Sequence, residues 1–323
     1  MSAETVMLTV PALLDGVRAD RGVALLTGVS RAVAAQLVAA GAVRVGGRPV
    51  TGRSQGLVAG TRLEVDLPGP VAGAAADAGV DVAVVYADED VVVVDKPAGL
   101  VVHPGAGRRD GTLVSGLLAR YPELAELAAA GVCDPQRPGI VQRLDRGTSG
   151  LLAVARSERA YRSLSAQLAA RTVERRYRAL VAGHLPEDRG VVEAPIGRST
   201  RAPTRMAVSA QGRPARTSYA VLARVDEPLR ATLLELALDT GRTHQIRVHL
   251  AAIGHPVVGD DRYGTAAGPG GRRGRVGGAL LARGRLFLHA ARLGFEHPGG
   301  AGAMVFESPL PADLAAVVGE PPD

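Results

Sequence analysis

Apolar residues follow two different periods along this chain. Val91-Val92-Val93-Val94 and Leu151-Leu152-Ala153-Val154-Ala155 are short unbroken apolar runs ended by charge, which is the pattern of strands covered on both faces. The stretch 91–104 predicts a buried strand, a turn at Pro97-Ala98-Gly99 and a second strand, and Tyr177 to Ala182 and Leu233 to Leu238 predict two more. Ser157 to Arg171 instead places Tyr161, Leu164 and Leu168 at helical spacing. Thr243 to Gly254 is compatible with alternation, but Thr at its start, Gly at its end and the spacing of Ile246, Leu250 and Ile253 favour a helix. Its first turn then puts His244 and Arg247 on neighbouring positions of one face.

Nearer the start, Ser30 to Gly41 has an N-cap serine, apolar residues at helical spacing and a terminal glycine. Ala42 to Val50 follows as two short strands joined at Gly46-Gly47, with Arg31, Arg44, Arg48 and Arg53 spread over the unit. Residues 67–80, rich in Pro, Gly and Ala, have the composition of a linker and divide the chain into 1–66 and 81–323. Many strands with few helices between them predict an α+β second domain built on a mixed, mainly antiparallel sheet. Residues 265–284, glycine- and arginine-rich, are expected to form a long mobile loop.

The chain has 323 residues, 46% of them apolar, enough for two units with their own cores. Aromatics are 3% and Trp is absent, so base stacking falls to few side chains. Of 38 basic residues only Lys96 is lysine, and the net charge is +6 with a pI near 10.0. Such a balance suits a polyanionic partner, and guanidinium groups fork onto phosphate oxygens. A coding bias towards Arg accounts for the lysine deficit equally well, so the net charge carries the inference. The single cysteine, Cys133, excludes an internal disulfide or a cysteine zinc cluster, and no metal is expected. No apolar run is long enough for a membrane span and the start lacks the order of a signal peptide, so a cytoplasmic protein with no membrane partner is expected; a monomer is also expected. No Gly-x-Gly-x-x-Gly follows a strand and no Walker loop is present, so no nucleotide cofactor is expected either.

Arg143-Leu144-Asp145-Arg146 sets one carboxylate between two guanidiniums, before Gly147-Thr148-Ser149-Gly150. Flanking cations favour the charged form that a nucleophile or base needs. A surface ion pair at a strand end is the plain alternative. Further along come Glu174-Arg175-Arg176-Tyr177-Arg178-Ala179-Leu180-Val181 and Thr240-Gly241-Arg242-Thr243-His244-Gln245-Ile246-Arg247. With Asp95-Lys96-Pro97-Ala98-Gly99, the stretch Gly254 to Asp260 and Leu288-His289-Ala290, this order of motifs resembles the pseudouridine synthases of the RluA/RluD family over nearly the whole chain. Within that family it is similar to the branch with an N-terminal S4 domain that modifies large-subunit ribosomal RNA. The S4-type pattern runs through Leu14 to Asp20, Ser30-Arg31, Gly41 to Arg48 and Gly60 to Val65, although a plain small α/β appendage has the same elements.

The resemblance implies a synthase-type catalytic domain, 81–323, that isomerises uridine in 23S ribosomal RNA or its assembly precursor, transfer RNA remaining open, without a cofactor. It implies Asp145 as the essential carboxylate, Tyr177 as the active-site tyrosine and Arg247 as the ion-pair partner of Asp145. Arg143 is then the residue that fills the gap left by a flipped uridine. Arg146, Thr148 and His244 in the large domain, and Arg31 and Arg44 in the small one, are expected RNA contacts. A carboxylate can attack C1′ or remove the C2′ proton, and the residues do not choose between these routes. Where the family usually has His before Arg-Leu-Asp, this chain has Gln142, which hydrogen-bonds but does not titrate. An RNA-binding or ribosome-assembly factor with an inactive synthase domain is therefore a second reading, and a sugar hydrolase using Asp145 a third.

Overall fold

A computed structural model describes residues 4–29, 31–52, 54–67, 73–105, 110–227, 229–264, 280 and 284–319. Its contacts divide the chain into two compact units, Met1–Ala72 and Gly73–Asp323.

In the first unit, four antiparallel strands stand in the order β1 (Glu4–Thr9), β4 (Arg62–Leu67), β2 (Val43–Val45) and β3 (Arg48–Pro49). Helices α1 (Ala19–Thr27) and α2 (Arg31–Ala39) close a core of Val23, Leu37, Val38, Val43, Leu63 and Val65. The β2–β3 hairpin turns at Gly46 and Gly47, whose φ angles of 58° and 76° fit the tight turn that strand twist favours. Ser30 and Arg53 lie outside the described residues.

In the second unit, nine described strands form one sheet in the order β5 (Ala83–Ala87), β6 (Val91–Lys96), β7 (Ser149–Ala155), β14 (Leu288–Glu296), β8 (Glu174–Ala182), β13 (Ala231–Leu238), β12 (Arg216–Val225) and β9 (Arg189–Glu193), with β15 (Ala303–Glu307) beside β14. β10 (Ile196–Arg198) and β11 (Met206–Val208) make a separate hairpin. Among the described strands only β7 and β14 run parallel, so the domain is α+β with a mixed, mainly antiparallel sheet. The apolar runs in β6 and β7 are continuous because both faces are covered. Val92, Val94, Leu152 and Val154 pack with α3 (Leu113–Arg120) and α4 (Leu124–Ala129), while Val91, Val93, Leu151 and Ala153 pack with α5 (Glu158–Ala170). Each of these valines and leucines stabilises the fold by about 1.5–3 kcal/mol when removed from water. α5 is capped by Ser157, whose Oγ accepts from Ala160 N–H, and it ends at Arg171 in the left-handed region, φ 63°.

Three expectations change. Residues 100–104 are a loop, not a strand: the Val101 and Val102 carbonyls accept from Leu113 and Val114 N–H at the start of α3. Residues 73–80 lie in the second unit, where Ala74 N–H donates to Pro135 O and Asp77 N–H to Ser115 O, both at 2.9 Å. Their small residues read as linker because they run close against α3, where a Cβ on Gly116 would meet Val80 O at 2.7 Å. Thirdly, the helix expected over 243–254 is α6, which spans Gln245–Ala252 and leaves His244 outside, in the left-handed region at φ 56°. The Gln245 Oε1 accepts from Arg242 N–H and Thr240 Oγ1, so an amide rather than Thr243 ties off the turn before the helix. The expected loop at 265–284 falls almost wholly outside the described residues. Among the described residues, no helix is long and apolar enough to cross a membrane.

Candidate active site

A cavity of about 600 Å³ in the second unit is lined by Asp145, Thr148, Arg175, Tyr177, His244 and Arg247, among others. Asp145 sits in the turn that feeds β7, closed by Thr148 N–H donating to Asp145 O at 3.1 Å. Two buried basic side chains brace this turn from behind. Lys96 Nζ donates to Pro97 O at 2.8 Å, Leu100 O at 3.0 Å and Arg146 O at 3.5 Å. Arg285 donates to Gly147 O at 3.1 Å and Ser149 Oγ at 3.0 Å, and its Nε pairs with Asp313 at 2.7 Å. Gly150 is required where β7 meets β14: its φ is 114° and a Cβ there would lie 2.3 Å from Ala290 O.

Arg247 enters from the first turn of α6 and is only 6% exposed. Its Nη1 donates to Asp145 Oδ2 at 3.0 Å, across 102 positions of sequence. The rest of the guanidinium is taken by Asp260, through Nε at 2.7 Å and Nη2 at 2.9 Å. Asp260 Oδ1 also accepts from Arg262 and Tyr263 N–H, and the Tyr263 ring lies 5.1 Å from the Arg247 Cζ. Burial opposes the charge on Arg247, yet Asp260 and Asp145 outweigh it and hold the guanidinium above the usual arginine range. Burial likewise opposes the charge on Asp260, and Arg247 holds that carboxyl below the usual carboxylate range. A fork this well matched is what keeps a buried ion pair from being a net cost.

His244 stands between these groups. Its Nδ1 shares a hydrogen bond with Tyr263 OH at 2.7 Å, and its Nε2 is 3.8 Å from Asp145 Oδ1. Burial lowers its pKa against the pull of Asp145, which favours the neutral ring. Tyr177 comes from β8, where alternation puts Arg175, Tyr177 and Ala179 on the face towards the cavity side of the core. Burial pushes its phenol up, Arg175 opposes this, and the charge of Asp145 adds to it.

The remaining expected contacts divide. Arg143 is exposed at the cavity, its Nη2 3.4 Å from Thr243 Oγ1, and Gln142 lines the cavity beside it. Arg146 is not among the cavity's lining residues and donates to Gly99 O at 3.2 Å. Arg31 and Arg44 belong to the first unit, where they pair with Asp20 at 3.4 Å and Asp66 at 3.2 Å. Sequence reasoning missed Asp260, Tyr263, Arg175 and the bracing roles of Lys96 and Arg285. Asp260 left one signal, an acid placed two and three residues before the N–H groups it captures, those of Arg262 and Tyr263, as in an Asx turn.

Residues 90–252 match the family model described as RNA pseudouridylate synthase. The chain is 44% identical over 319 residues to an uncharacterized RNA pseudouridine synthase of Chloroflexus aurantiacus, covering 98% of this chain and 94% of that one. It is 40% identical over 322 residues to a ribosomal large subunit pseudouridine synthase D of Zymomonas mobilis, covering 97% and 96%. Among solved structures, human RNA pseudouridylate synthase domain containing 1 is similar at a TM-score of 0.56 and 30% identity, covering 74% of this chain and 88% of that one. With its matched domain, relatives and fold, this chain belongs to the RNA pseudouridine synthases of the RluA/RluD family, isomerases that act on RNA.

Proposed function

We propose that this enzyme isomerises uridines of large-subunit ribosomal RNA, with Asp145 as the carboxylate that acts at the sugar. The name of its Zymomonas mobilis relative supports the substrate. The contact between Asp145 and Arg247 at 3.0 Å supports the chemistry most directly, because Arg247 is itself fixed by Asp260. A fixed guanidinium leaves one carboxylate oriented at the wall of a cavity that is of a size to take a base and its ribose.

Isomerisation breaks the N1–C1′ bond, turns the uracil and joins C5 to C1′. Asp145 either adds to C1′ or takes the C2′ proton, and the ring leaves with the bonding pair in both cases. Tyr177 offers an aromatic face to the ring and Arg143, at the mouth, occupies the position the flipped nucleotide vacates. The first unit anchors structured RNA as an S4-like module, with Arg18, Arg31, Arg44 and Arg48 at its surface.

Tritium release from ribosomal RNA carrying 5-³H-uridine tests this. Wild-type protein is expected to release tritium in proportion to pseudouridine formed, and Asp145→Asn to lose about 10³-fold or more of the rate while still binding RNA. Release by Asp145→Asn at wild-type speed defeats the assignment of the carboxylate. RNA binding by the wild type without release points instead to an assembly factor.

A further inference from the structure

Two buried side-chain polar atoms have no hydrogen-bond partner among the described residues, Thr148 Oγ1 and Arg175 Nε, and both residues line the cavity that holds Asp145. Buried polar groups are nearly always paired, so two unpaired ones on one cavity wall point to a ligand that completes them. Arg175 is the more unusual of the two. It is 9% exposed, its Nη2 donates to Leu238 O at 3.2 Å, and no carboxylate pairs with it among the described residues. The buried guanidiniums of Arg247 and Arg285, by contrast, are balanced by Asp260 and Asp145 and by Asp313. A buried cation without a counter-charge is costly, and it makes physical sense where the missing anion forms on the substrate.

The backbone fixes its position. Tyr177 pairs with Leu236 and Arg176 with Ala237, so Arg175 stands beside Leu238 and two residues from Tyr177 on the same face of β8. The Gly241 turn closes over the other side, where a Cβ would lie 3.0 Å from Arg175 Nη1.

We propose that Arg175 is a further catalytic residue, whose guanidinium carries the negative charge that the uracil ring acquires as the N1–C1′ bond breaks. The proposal rests on the assignment of Asp145 as the group that acts at the sugar. Whichever route Asp145 follows, the electron pair of the broken bond departs with N1 and spreads onto O2 and O4. Arg175 donates hydrogen bonds to that anion and transfers no proton, and Thr148 Oγ1 offers a neutral hydrogen bond to the same ring. The charge leaves the ring when C5 bonds to C1′. A preformed cation in a site shielded from water acts on such a charge far more strongly than it would in solvent.

The test compares two leaving groups. The 5-fluorouracil anion is intrinsically more stable than the uracil anion, so it needs the cation less. A large-subunit ribosomal RNA fragment is prepared with uridine or 5-fluorouridine at one mapped target, and single-turnover consumption of the N-linked nucleoside, which for the fluorinated ring ends at a C5-linked product because C5 has no proton to lose, is followed by nucleoside chromatography after digestion. Arg175→Met is expected to slow conversion of uridine by about 10²–10³-fold and of 5-fluorouridine by roughly tenfold less, with RNA Kd changed by under about threefold. Arg175→Lys, which keeps the charge, is expected to recover about tenfold of the uridine rate. An unchanged uridine rate in Arg175→Met, an equal loss on both rings, or a lysine variant as slow as the methionine one overturns the proposal. If circular dichroism finds Arg175→Met unfolded, the same comparison of rings is made between Arg175→Lys and wild type, and equal loss is again the overturning result. Failure of the Asp145 assignment is read separately, from Asp145→Asn with Arg175 intact.

Discussion

A single guanidinium, that of Arg247, binds two carboxylates with unequal duties: Asp260 is fully buried and fixes it, whereas Asp145 is partly open to the cavity. Asp260→Asn removes the buried anionic partner and leaves the cation with Asp145 and the exposed Asp261, whose Oδ1 lies 3.5 Å from Arg247 Nη2. Breaking a buried pair costs about 3–5 kcal/mol, so the melting temperature is expected to fall clearly. Asp260 does not reach the substrate in this scheme, and its loss is expected to lower the single-turnover rate by about 10–100-fold while RNA Kd moves by under about threefold. Filter binding and rapid-quench kinetics on the same preparation check this split, and an intact rate shows that Arg247 is held without Asp260. The meeting of Asp145 and Arg247 was legible from the order of motifs alone, since no spacing rule joins positions 102 apart. Asp260 and Arg175 were not legible as partners or as orphans, because their status depends on which carbonyls and carboxylates the folded strands bring to them.

Among the elements, β6 shows a conflict resolved by a side chain at its end. Lys96 is fully buried, and burial lowers its pKa to about 7, with Asp145 opposing and Arg285 adding to the shift. A lysine depressed in the folded state binds fewer protons there than in the unfolded chain between pH 7 and its ordinary range near 10.5. Stability contributed by this residue therefore rises with pH across that window, and its unfavourable share is fully present below it. Denaturant unfolding of wild type and Lys96→Met at about pH 7 and about pH 9.5 is expected to give a difference that moves in favour of wild type at the higher pH. A pH-independent difference would mean that Lys96 stays charged in the fold. Element by element, β6, β7 and α5 were legible because both-face burial and helical spacing leave clear patterns. α1 and α3 were not, since each carries a glycine, Gly22 or Gly116, that lowers helical propensity while giving Leu57 or Val80 room to approach.

At the scale of the molecule, each unit has its own core, so the second is expected to fold without the first. Removing residues 1–72 should weaken binding to ribosomal RNA by about tenfold or more and flatten its salt dependence, because cationic contacts release counterions. The single-turnover rate at saturating protein should stay within about threefold of the full chain. Equal RNA affinity at moderate salt would remove the first unit from substrate binding. The order of the large sheet has a different consequence. β14, from residues 288–296, lies between β7 and β8 and joins the half that carries Asp145 to the half that carries Tyr177. Opening of this keystone strand would therefore take the carboxylate and the tyrosine out of one continuous sheet together, although each half keeps its own helices packed against it.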